Sequence, residues 1–198
     1  MLIAIEGCLG AGKTTVARGL AGYRNSEVVL EAFETNPFLR AFYDDPVGNA
    51  LETEFAFLLL HYHQLKAHAN LAASSEVIAD FHLGKDLLYA DLNLKDQNAR
   101  RLFDALYEVC LPRTPKPALM VYLAAPTGLV IDRIRMRSRD YELEIDHGYY
   151  AAVNGAYEEL FESYQDDKIR ISMEEWDFVK DPSLYDRLAL MIDEALAR

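Results

Sequence analysis

A glycine-rich loop near the N-terminus constrains this chain more than any other stretch. The motif G-x-x-x-x-G-K-T runs from Gly7 to Thr14, after the apolar segment Leu2–Ile5 and before a helix-forming segment that starts at Thr15. Glycines allow consecutive backbone N–H groups to point inward and hold phosphate oxygens, and the N-terminus of the following helix adds partial positive charge. The motif therefore predicts a strand–loop–helix unit that binds a nucleoside triphosphate.

Two side chains of the loop have defined chemistry. Lys13 can reach the β- and γ-phosphates, and the hydroxyl of Thr14 can bind Mg²⁺. The alternative is a glycine-rich turn that binds nothing, and the preceding strand, the spacing and the Lys-Thr pair argue against it. We expect the triphosphate to be held by Gly7, Gly10, Ala11, Gly12, Lys13, Thr14 and Thr15.

Length and charge limit the possible classes of protein. A chain of 198 residues is long enough for one α/β domain, which we expect to span 1–198. The net charge of −12 argues against a duplex nucleic-acid partner, which requires a basic face. The two cysteines, Cys8 and Cys110, predict neither a disulfide framework nor a metal site. Without a long apolar run or a signal peptide, the sequence predicts a cytoplasmic protein with no membrane partner.

Apolar segments predict five strands, with helical patterns between them. The predicted strands are 2–6, 27–31, 76–80, 118–124 and 168–172. This alternation predicts an α/β fold with a five-stranded parallel sheet flanked by helices. Ligands bind outside the carboxyl ends of such strands, where Glu31 and Asp80 lie. Either acid could be an ordinary solvated strand end, but two acids beside a triphosphate site favour a functional role.

The longest predicted helix, 50–72, carries an apolar stripe and two polar residues of interest. Glu54 and His61 are seven residues apart and share one face, about 10.5 Å apart along the axis, enough to address two edges of a flat base. Taken alone, the pair would be read as solvent-exposed. The stripe predicts either core or, with the predicted helix 94–111, a homodimer face. Its members are Leu51, Phe55, Leu58, Tyr62, Leu65 and Ala69.

Four arginines, Arg133, Arg135, Arg137 and Arg139, lie close together in this acidic chain. They form two i,i+4 pairs of like charge, which destabilise a helix unless an anion offsets the repulsion. The alternative is a surface helix with salt bridges. Because a triphosphate already needs neutralising, we predict an arginine-rich helical lid at about 133–146 that clamps phosphate.

Together these features resemble the deoxynucleoside kinases of the P-loop superfamily, from Met1 to about Phe178. The resemblance implies a three-layer P-loop kinase fold and transfer of phosphate from ATP to the 5′-hydroxyl of a deoxynucleoside. It places Glu31 as the general base, a role that a carboxylate can perform. Its most specific elements are Ile5-Glu6-Gly7, Asn36-Pro37-Phe38, the stretch 42–46 and the lid 133–142.

The resemblance also implies roles for other residues. Tyr43 and Glu142 would contact the 3′-hydroxyl, while Arg137 and Arg139 would clamp the transferred phosphate. Asp80 would help Thr14 to hold Mg²⁺. The adenine of ATP would lie against Arg133 and the segment 174–178, where Glu175, Asp177 and Phe178 are the candidate contacts.

The chain departs from the family pattern at two places. Phe81 replaces an expected arginine, and Lys85 is our candidate for the missing positive charge. Glu54 replaces the usual glutamine, with His61 where an arginine is common and Asp86 as a third residue facing the base. An ionised Glu54 only accepts hydrogen bonds, which suits guanine. We therefore expect a purine deoxynucleoside, deoxyguanosine ahead of deoxyadenosine, used in nucleotide salvage.

Two other functions compete with this expectation. A nucleoside-monophosphate kinase of the thymidylate-kinase type would share the loop, lid and fold, but it needs basic residues to hold the phosphate of its acceptor. The segment from Glu31 to Glu34 is acidic instead. An ATP-binding regulatory switch would need a residue that positions water, and no glutamine suited to that role is evident.

Overall fold

The computed structural model describes residues 1–137 and 146–198. Five strands form one parallel sheet in the order β2-β3-β1-β4-β5. The central position of β1 places the glycine-rich loop in the middle of the carboxyl edge of the sheet. The strands are β1 (Leu2–Glu6), β2 (Glu27–Val29), β3 (Val77–Ala79), β4 (Pro117–Ala124) and β5 (Lys168–Ser172).

Nine α-helices flank the sheet in the described part of the chain. Short 3₁₀ turns at Phe33–Thr35 and Leu111–Arg113 supplement them. The helices are α1 (Lys13–Arg24), α2 (Leu39–Asp44), α3 (Pro46–Ala67), α4 (Ala69–Ser74), α5 (Gly84–Asn93), α6 (Gln97–Cys110), α7 (Thr127–Arg137), α8 (His147–Ser163) and α9 (Leu184–Leu196).

The alternation of side chains in β1 produces a three-layer arrangement. Successive strand residues point to opposite faces of a sheet. Ile3 joins a core cluster with Leu20 of α1 and Ile192 of α9, whereas its neighbour Leu2 joins a second cluster with Leu58 of α3. Helices therefore cover both faces. This confirms the predicted α/β fold with a five-stranded parallel sheet.

Several predicted boundaries need correction. β2 and β3 end at Val29 and Ala79, so Glu31 and Asp80 lie just after their strands rather than at their last residues. The predicted helix 50–72 starts earlier and is interrupted at His68, between α3 and α4. The predicted helix 94–111 begins only at Gln97.

The apolar stripe on α3 belongs mainly to the core. Leu58 and Leu65 are buried, and the ring of Phe55 meets Phe103 of α6 edge to face, 5.4 Å between centroids. Leu51, in contrast, is exposed. No helix in the ranges 1–137 and 146–198 combines the length and apolar character needed to cross a membrane.

Candidate active site

The glycine-rich loop has the backbone geometry that a phosphate site requires. Gly12, immediately before α1, has a φ of +104°, and Gly7, after β1, has a φ of +148°. A Cβ atom on Gly7 would lie 2.8 Å from the carbonyl oxygen of Leu123. Only glycine allows this backbone to turn so tightly against β4. The loop thus directs the N-terminus of α1 towards the space above the sheet.

Lys13 is folded over this loop. Its Nζ donates hydrogen bonds to the carbonyl oxygens of Gly7 and Cys8, at 2.8 Å and 3.2 Å. Burial lowers the pKa of Lys13, and the positive charge of Lys85 lowers it further, although Glu31 and Glu6 oppose this. The ammonium group is therefore held beside the anion-binding backbone, where phosphate oxygens would stabilise its charge.

Thr14 and Asp80 form a pair of oxygen ligands at the loop. The Thr14 hydroxyl donates to Oδ2 of Asp80 at 2.5 Å, and Oδ1 of Asp80 accepts from the backbone N–H of Glu31 at 2.7 Å. Oxygen ligands of this kind suit Mg²⁺. No group of three or more His, Cys, Asp or Glu side chains forms a metal site within 1–137 and 146–198. A magnesium ion here would accordingly need phosphate and water oxygens as its remaining ligands.

His61 connects Glu31 and Asp86. Its Nε2 lies 3.1 Å from Oε1 of Glu31, and its Nδ1 lies 2.7 Å from Oδ1 of Asp86. Ionised carboxylates only accept hydrogen bonds, so both ring nitrogens must donate and the ring is an imidazolium. Burial alone would lower the pKa of His61, but Asp86 and Glu31 overcome this and raise it to about 9.

Glu31 is held between two positive charges. Its Oε2 lies 2.6 Å from Nζ of Lys85, while Oε1 faces His61. Burial would raise the pKa of Glu31, but Lys85 and His61 reverse the effect and hold it well below its ordinary value. Glu31 is therefore a permanently ionised, oriented carboxylate that can accept a hydrogen bond from an alcohol.

Phe81, which occupies the place of the expected arginine, is a core residue. Its ring is fully buried and lies 4.9 Å from the ring of His61 and 5.9 Å from Nζ of Lys85. The cation beside Glu31 in this region comes from Lys85 in the first turn of α5.

Glu54 is buried and lines the cleft, which favours the predicted base-facing position over the solvent-exposed alternative. Only 3% of its surface is accessible, and its Oε1 accepts a hydrogen bond from Nδ2 of Asn93 at 2.7 Å. Burial, reinforced by the charge of Asp86, raises the pKa of Glu54 to about 8, against the effect of Asn93. The carboxyl group is thus mainly protonated at neutral pH, contrary to the ionised state assumed from sequence.

Sequence reasoning missed Asn93 and Tyr149. Asn93 also donates to the hydroxyl of Tyr149, at 3.2 Å. The spacing contained a usable signal for Asn93, since it lies seven residues after Asp86 and so on the same face of α5. Tyr149 follows the predicted lid in sequence, and no motif distinguished it.

These groups line one cleft of about 1080 Å³ together with the glycine-rich loop. We refer to Glu54, His61 and Asp86, the residues that the sequence predicted to face the base, as the base end of this cleft. The predicted site residues that line the cleft are Gly10, Gly12, Lys13, Thr14, Thr15, Glu31, Tyr43, Glu54, His61, Asp80, Lys85, Asp86, Arg133, Arg137, Asp177 and Phe178.

A few predicted residues lie elsewhere. Ala11 is a buried residue of the loop, and its carbonyl accepts from Nη1 of Arg133 at 2.8 Å. Gly7 turns beside β4, and Glu175 is exposed and is not among the residues that line the cleft. Arg139 and Glu142 lie outside the described residues, as does the part of the predicted lid from 138 to 145.

Comparison with known proteins decides the family. A sequence model described as deoxynucleoside kinase matches residues 3–197, almost the whole chain. The chain belongs to the deoxynucleoside kinase family. It is 29% identical to a deoxyguanosine kinase of Bacillus subtilis over 98% of this chain and 97% of that protein. It is 27% identical to a deoxyadenosine kinase of Lactobacillus acidophilus over 98% and 96%, respectively.

A solved deoxynucleoside kinase has the same fold over nearly the full length. The deoxyadenosine kinase of M. mycoides, with the products dCMP and dCDP bound, superposes with a TM-score of 0.85. The two chains are 26% identical, and the match covers 98% of this chain and 100% of the other. Both the P-loop kinase fold and the family resemblance are confirmed, and the protein is a phosphotransferase that acts on deoxynucleosides.

Proposed function

We propose that this deoxynucleoside kinase transfers the γ-phosphate of ATP to the 5′-hydroxyl of a purine deoxynucleoside, giving the 5′-monophosphate in nucleotide salvage. The observation that carries the proposal is the position of Glu31. An ionised carboxylate, fixed by Lys85 at 2.6 Å and by His61 at 3.1 Å, lines the same cleft as the phosphate-binding loop. This is the arrangement needed to orient an uncharged alcohol opposite a triphosphate.

The loop end of the cleft would bind ATP. The backbone from Gly10 to Thr15, together with Lys13, would hold the phosphates. Arg133 donates to the loop carbonyl of Ala11, so its guanidinium is already attached to the donor site. The adenine would lie between this arginine and the segment that contains Asp177 and Phe178, both of which border the cleft.

Thr14 and Asp80 would hold Mg²⁺ together with phosphate oxygens. Their direct hydrogen bond already brings a hydroxyl and a carboxylate oxygen together at the end of the loop. When bound, the ion neutralises phosphate charge.

Glu31 would orient the 5′-hydroxyl and accept its proton. A carboxylate with so low a pKa is a weak base, but phosphoryl transfer passes through a loose transition state in which positioning and charge neutralisation matter most. Lys85 and His61 would act through Glu31 by fixing its two oxygens. Arg137 and Arg139 would neutralise the transferred phosphate, and Tyr43 and Glu142 would contact the 3′-hydroxyl.

The base would be read by Glu54 and Asp86. The two ring nitrogens of His61 contact Glu31 and Asp86, so we propose that His61 positions these acids and does not contact the base itself. Two relatives described as deoxyguanosine kinase and deoxyadenosine kinase support a purine substrate, although the M. mycoides deoxyadenosine kinase also binds dCMP. The preference for guanine over adenine that the sequence predicted requires an ionised Glu54, a condition that depends on pH.

A homodimer is also proposed, through exposed apolar side chains of α3 and α6. Leu51 on α3 and Leu102 and Val109 on α6 are exposed, at 45%, 62% and 54%. Sedimentation of the wild type and of a Leu102→Asp, Val109→Asp variant tests the interface. Dimers that become monomers support it, and a monomeric wild type contradicts it.

A panel of acceptors tests the function. Purified protein with Mg²⁺ and ATP is offered the eight common nucleosides and their 5′-monophosphates, and product formation is measured. We expect phosphorylation of deoxyguanosine and deoxyadenosine, with at least a hundredfold loss in kcat for Glu31→Ala. Stimulation by monophosphates alone would indicate the thymidylate-kinase type. ATP hydrolysis that is indifferent to every acceptor would indicate a regulatory switch.

A further inference from the structure

Two acidic side chains share the buried base end of the cleft. Asp86 is 2% exposed and Glu54 is 3% exposed. Oδ1 of Asp86 binds His61, whereas its buried Oδ2 has no hydrogen-bond partner among residues 1–137 and 146–198. Oε1 of Glu54 accepts from Asn93, and both acids line the cleft. The unpartnered oxygen of Asp86 and the carboxyl group of Glu54 thus lie where the proposed function puts the base.

The charges around Glu54 would not compensate the negative charge that an ionised Glu54 would add beside Asp86. From α5 it faces the carboxylate of Asp86, the ammonium of Lys85 and the neutral amide of Asn93; from α3 it faces His61. Tyr149 of α8 adds a phenol that burial keeps neutral by raising its pKa. Lys85 and His61 are paired with Glu31 and Asp86, and no lysine, arginine or histidine within 1–137 and 146–198 forms an ion pair with Glu54.

We propose that Glu54 reads the base as a neutral carboxylic acid at neutral pH, and that loss of its proton changes the base preference of the enzyme towards guanine. This inference rests on the proposed function and deepens it, because it names what sets the choice between the two purines. The pKa of about 8 for Glu54 places the change within a range where the enzyme can be assayed.

Asn93 determines where the acidic proton lies. Its amide nitrogen can only donate, so Oε1 of Glu54 must act as an acceptor in the 2.7 Å hydrogen bond. In the neutral acid the carbonyl oxygen is the stronger acceptor, so this hydrogen bond favours the proton on Oε2. Glu54 then offers a fixed donor at Oε2 and a second acceptor lone pair at Oε1, which is the pattern that a glutamine side chain offers. Asn93 is accordingly a positioning residue for base choice.

The two protonation states match different base edges. The neutral acid can donate to N1 of adenine and accept from its 6-amino group, and it can donate to O6 of guanine and accept from N1–H. The ionised carboxylate can only accept hydrogen bonds, so its oxygen would face the lone pair of adenine N1 without a hydrogen bond between them. It still matches guanine, whose N1–H and 2-amino group are adjacent donors. A site that leaves a polar group unpaired rejects that ligand strongly.

The experiment measures kcat/KM for deoxyguanosine and deoxyadenosine between about pH 6.5 and about pH 9. In this range the neutral fraction of a group with a pKa of about 8 falls about tenfold, so we expect the ratio of the two constants to rise about tenfold in favour of deoxyguanosine. Deoxyinosine, which lacks the 2-amino group, should not share this rise. A ratio that stays constant with pH overturns the inference.

Two variants provide controls. Glu54→Gln keeps a donor and an acceptor at every pH, so the ratio of the two kcat/KM values should not change with pH in this variant. Groups that affect both substrates equally, such as His61, cancel in the ratio. Asn93→Ala removes a hydrogen bond that lowers the pKa of Glu54, so the rise should move to higher pH. A profile unchanged by Asn93→Ala contradicts the role of Asn93.

The kinase activity and the role of Glu54 can be tested separately. If no nucleoside is phosphorylated, the proposed function is wrong, and calorimetric binding of the two purine nucleosides across the same pH range tests Glu54 separately. If nucleosides are phosphorylated but the ratio is independent of pH, or rises equally in Glu54→Gln, the proposed function stands and the role of Glu54 is wrong.

Discussion

Lys85 and Glu31 form a contact of 2.6 Å between the ammonium Nζ and the carboxylate Oε2. Both side chains are largely removed from water, with 5% and 16% of their surfaces exposed. The family resemblance implies an arginine at the position of Phe81, whose apolar ring packs beside the same ammonium group. The cation that contacts Oε2 of Glu31 therefore comes from the first turn of α5 and not from the turn after β3.

Replacing Lys85 should impair catalysis and change its pH dependence. We expect Lys85→Ala to lower kcat by about 10²-fold, because Glu31 loses the partner of its Oε2. Without Lys85, the pKa of Glu31 should rise, so the acid limb of the pH–rate profile should move to higher pH. A merely structural role would not move that limb. Lys116→Ala, which removes an exposed lysine paired with Asp166, is the control and should leave both quantities unchanged.

Neutralising Glu54 should stabilise the folded protein at neutral and alkaline pH. The pKa of this carboxyl rises from an ordinary value of 4.5 to about 8 on folding. Between these values the folded chain holds a proton that the unfolded chain has lost, so the free energy of unfolding falls as pH rises. The total fall from this group is about 5 kcal/mol.

Urea denaturation at about pH 5, 6.5 and 8 measures this effect. Glu54→Gln should reduce the slope, leaving the part that the raised pKa of His61 contributes above about pH 6.5, and should be more stable than the wild type by a few kcal/mol at about pH 8. Glu52→Gln, a change at an exposed position of the same helix, should retain the slope. Parallel slopes for Glu54→Gln and the wild type would show that Glu54 is ionised in the folded protein.

The fold and the triphosphate loop could be predicted from local patterns. A buried parallel strand is a short apolar run, and the spacing from Gly7 to Thr14 fixes a strand, a loop and a helix together. The carboxyl edge of the sheet then brings Glu31 and Asp80 to the loop whether they end a strand or follow it. Topology places them near each other, and their exact strand boundaries matter little.

The chemistry at the base end could not be predicted in the same way. The ionised state assumed for Glu54 is the ordinary state of an exposed carboxyl. Burial and the charge of Asp86 raise its pKa against the effect of Asn93, and both of these residues lie on a different helix. Likewise, His61 becomes an imidazolium only because α3 places it between Glu31 and Asp86. Such contacts join residues that are distant in sequence, and helical periodicity has no information about them.

The charge on His61 should be visible in the alkaline limb of catalysis. Above its pKa of about 9, the ring loses a proton, so one of its two hydrogen bonds to Glu31 or Asp86 loses its donor. We expect kcat/KM to fall near pH 9 for every nucleoside. His61→Arg keeps a positive charge and should move this limb to higher pH, whereas His61→Ala should lower kcat/KM by about 10²-fold at all pH values. An alkaline limb that is unchanged in His61→Arg would assign it to another group.

The hydroxyl of Thr14 should determine how much Mg²⁺ the enzyme needs. Thr14 donates to Asp80 at 2.5 Å, and a bound ion would replace the hydroxyl proton as the partner of that carboxylate. Thr14→Ala removes one oxygen ligand and should raise the Mg²⁺ concentration for half-maximal activity by about tenfold or more. Thr14→Ser keeps the oxygen and should resemble the wild type. The titration is made at saturating ATP and nucleoside, so that changes in substrate affinity do not enter. If Thr14→Ala and Thr14→Ser titrate alike, Mg²⁺ is held without the hydroxyl, and Asp80 with the phosphate oxygens must suffice.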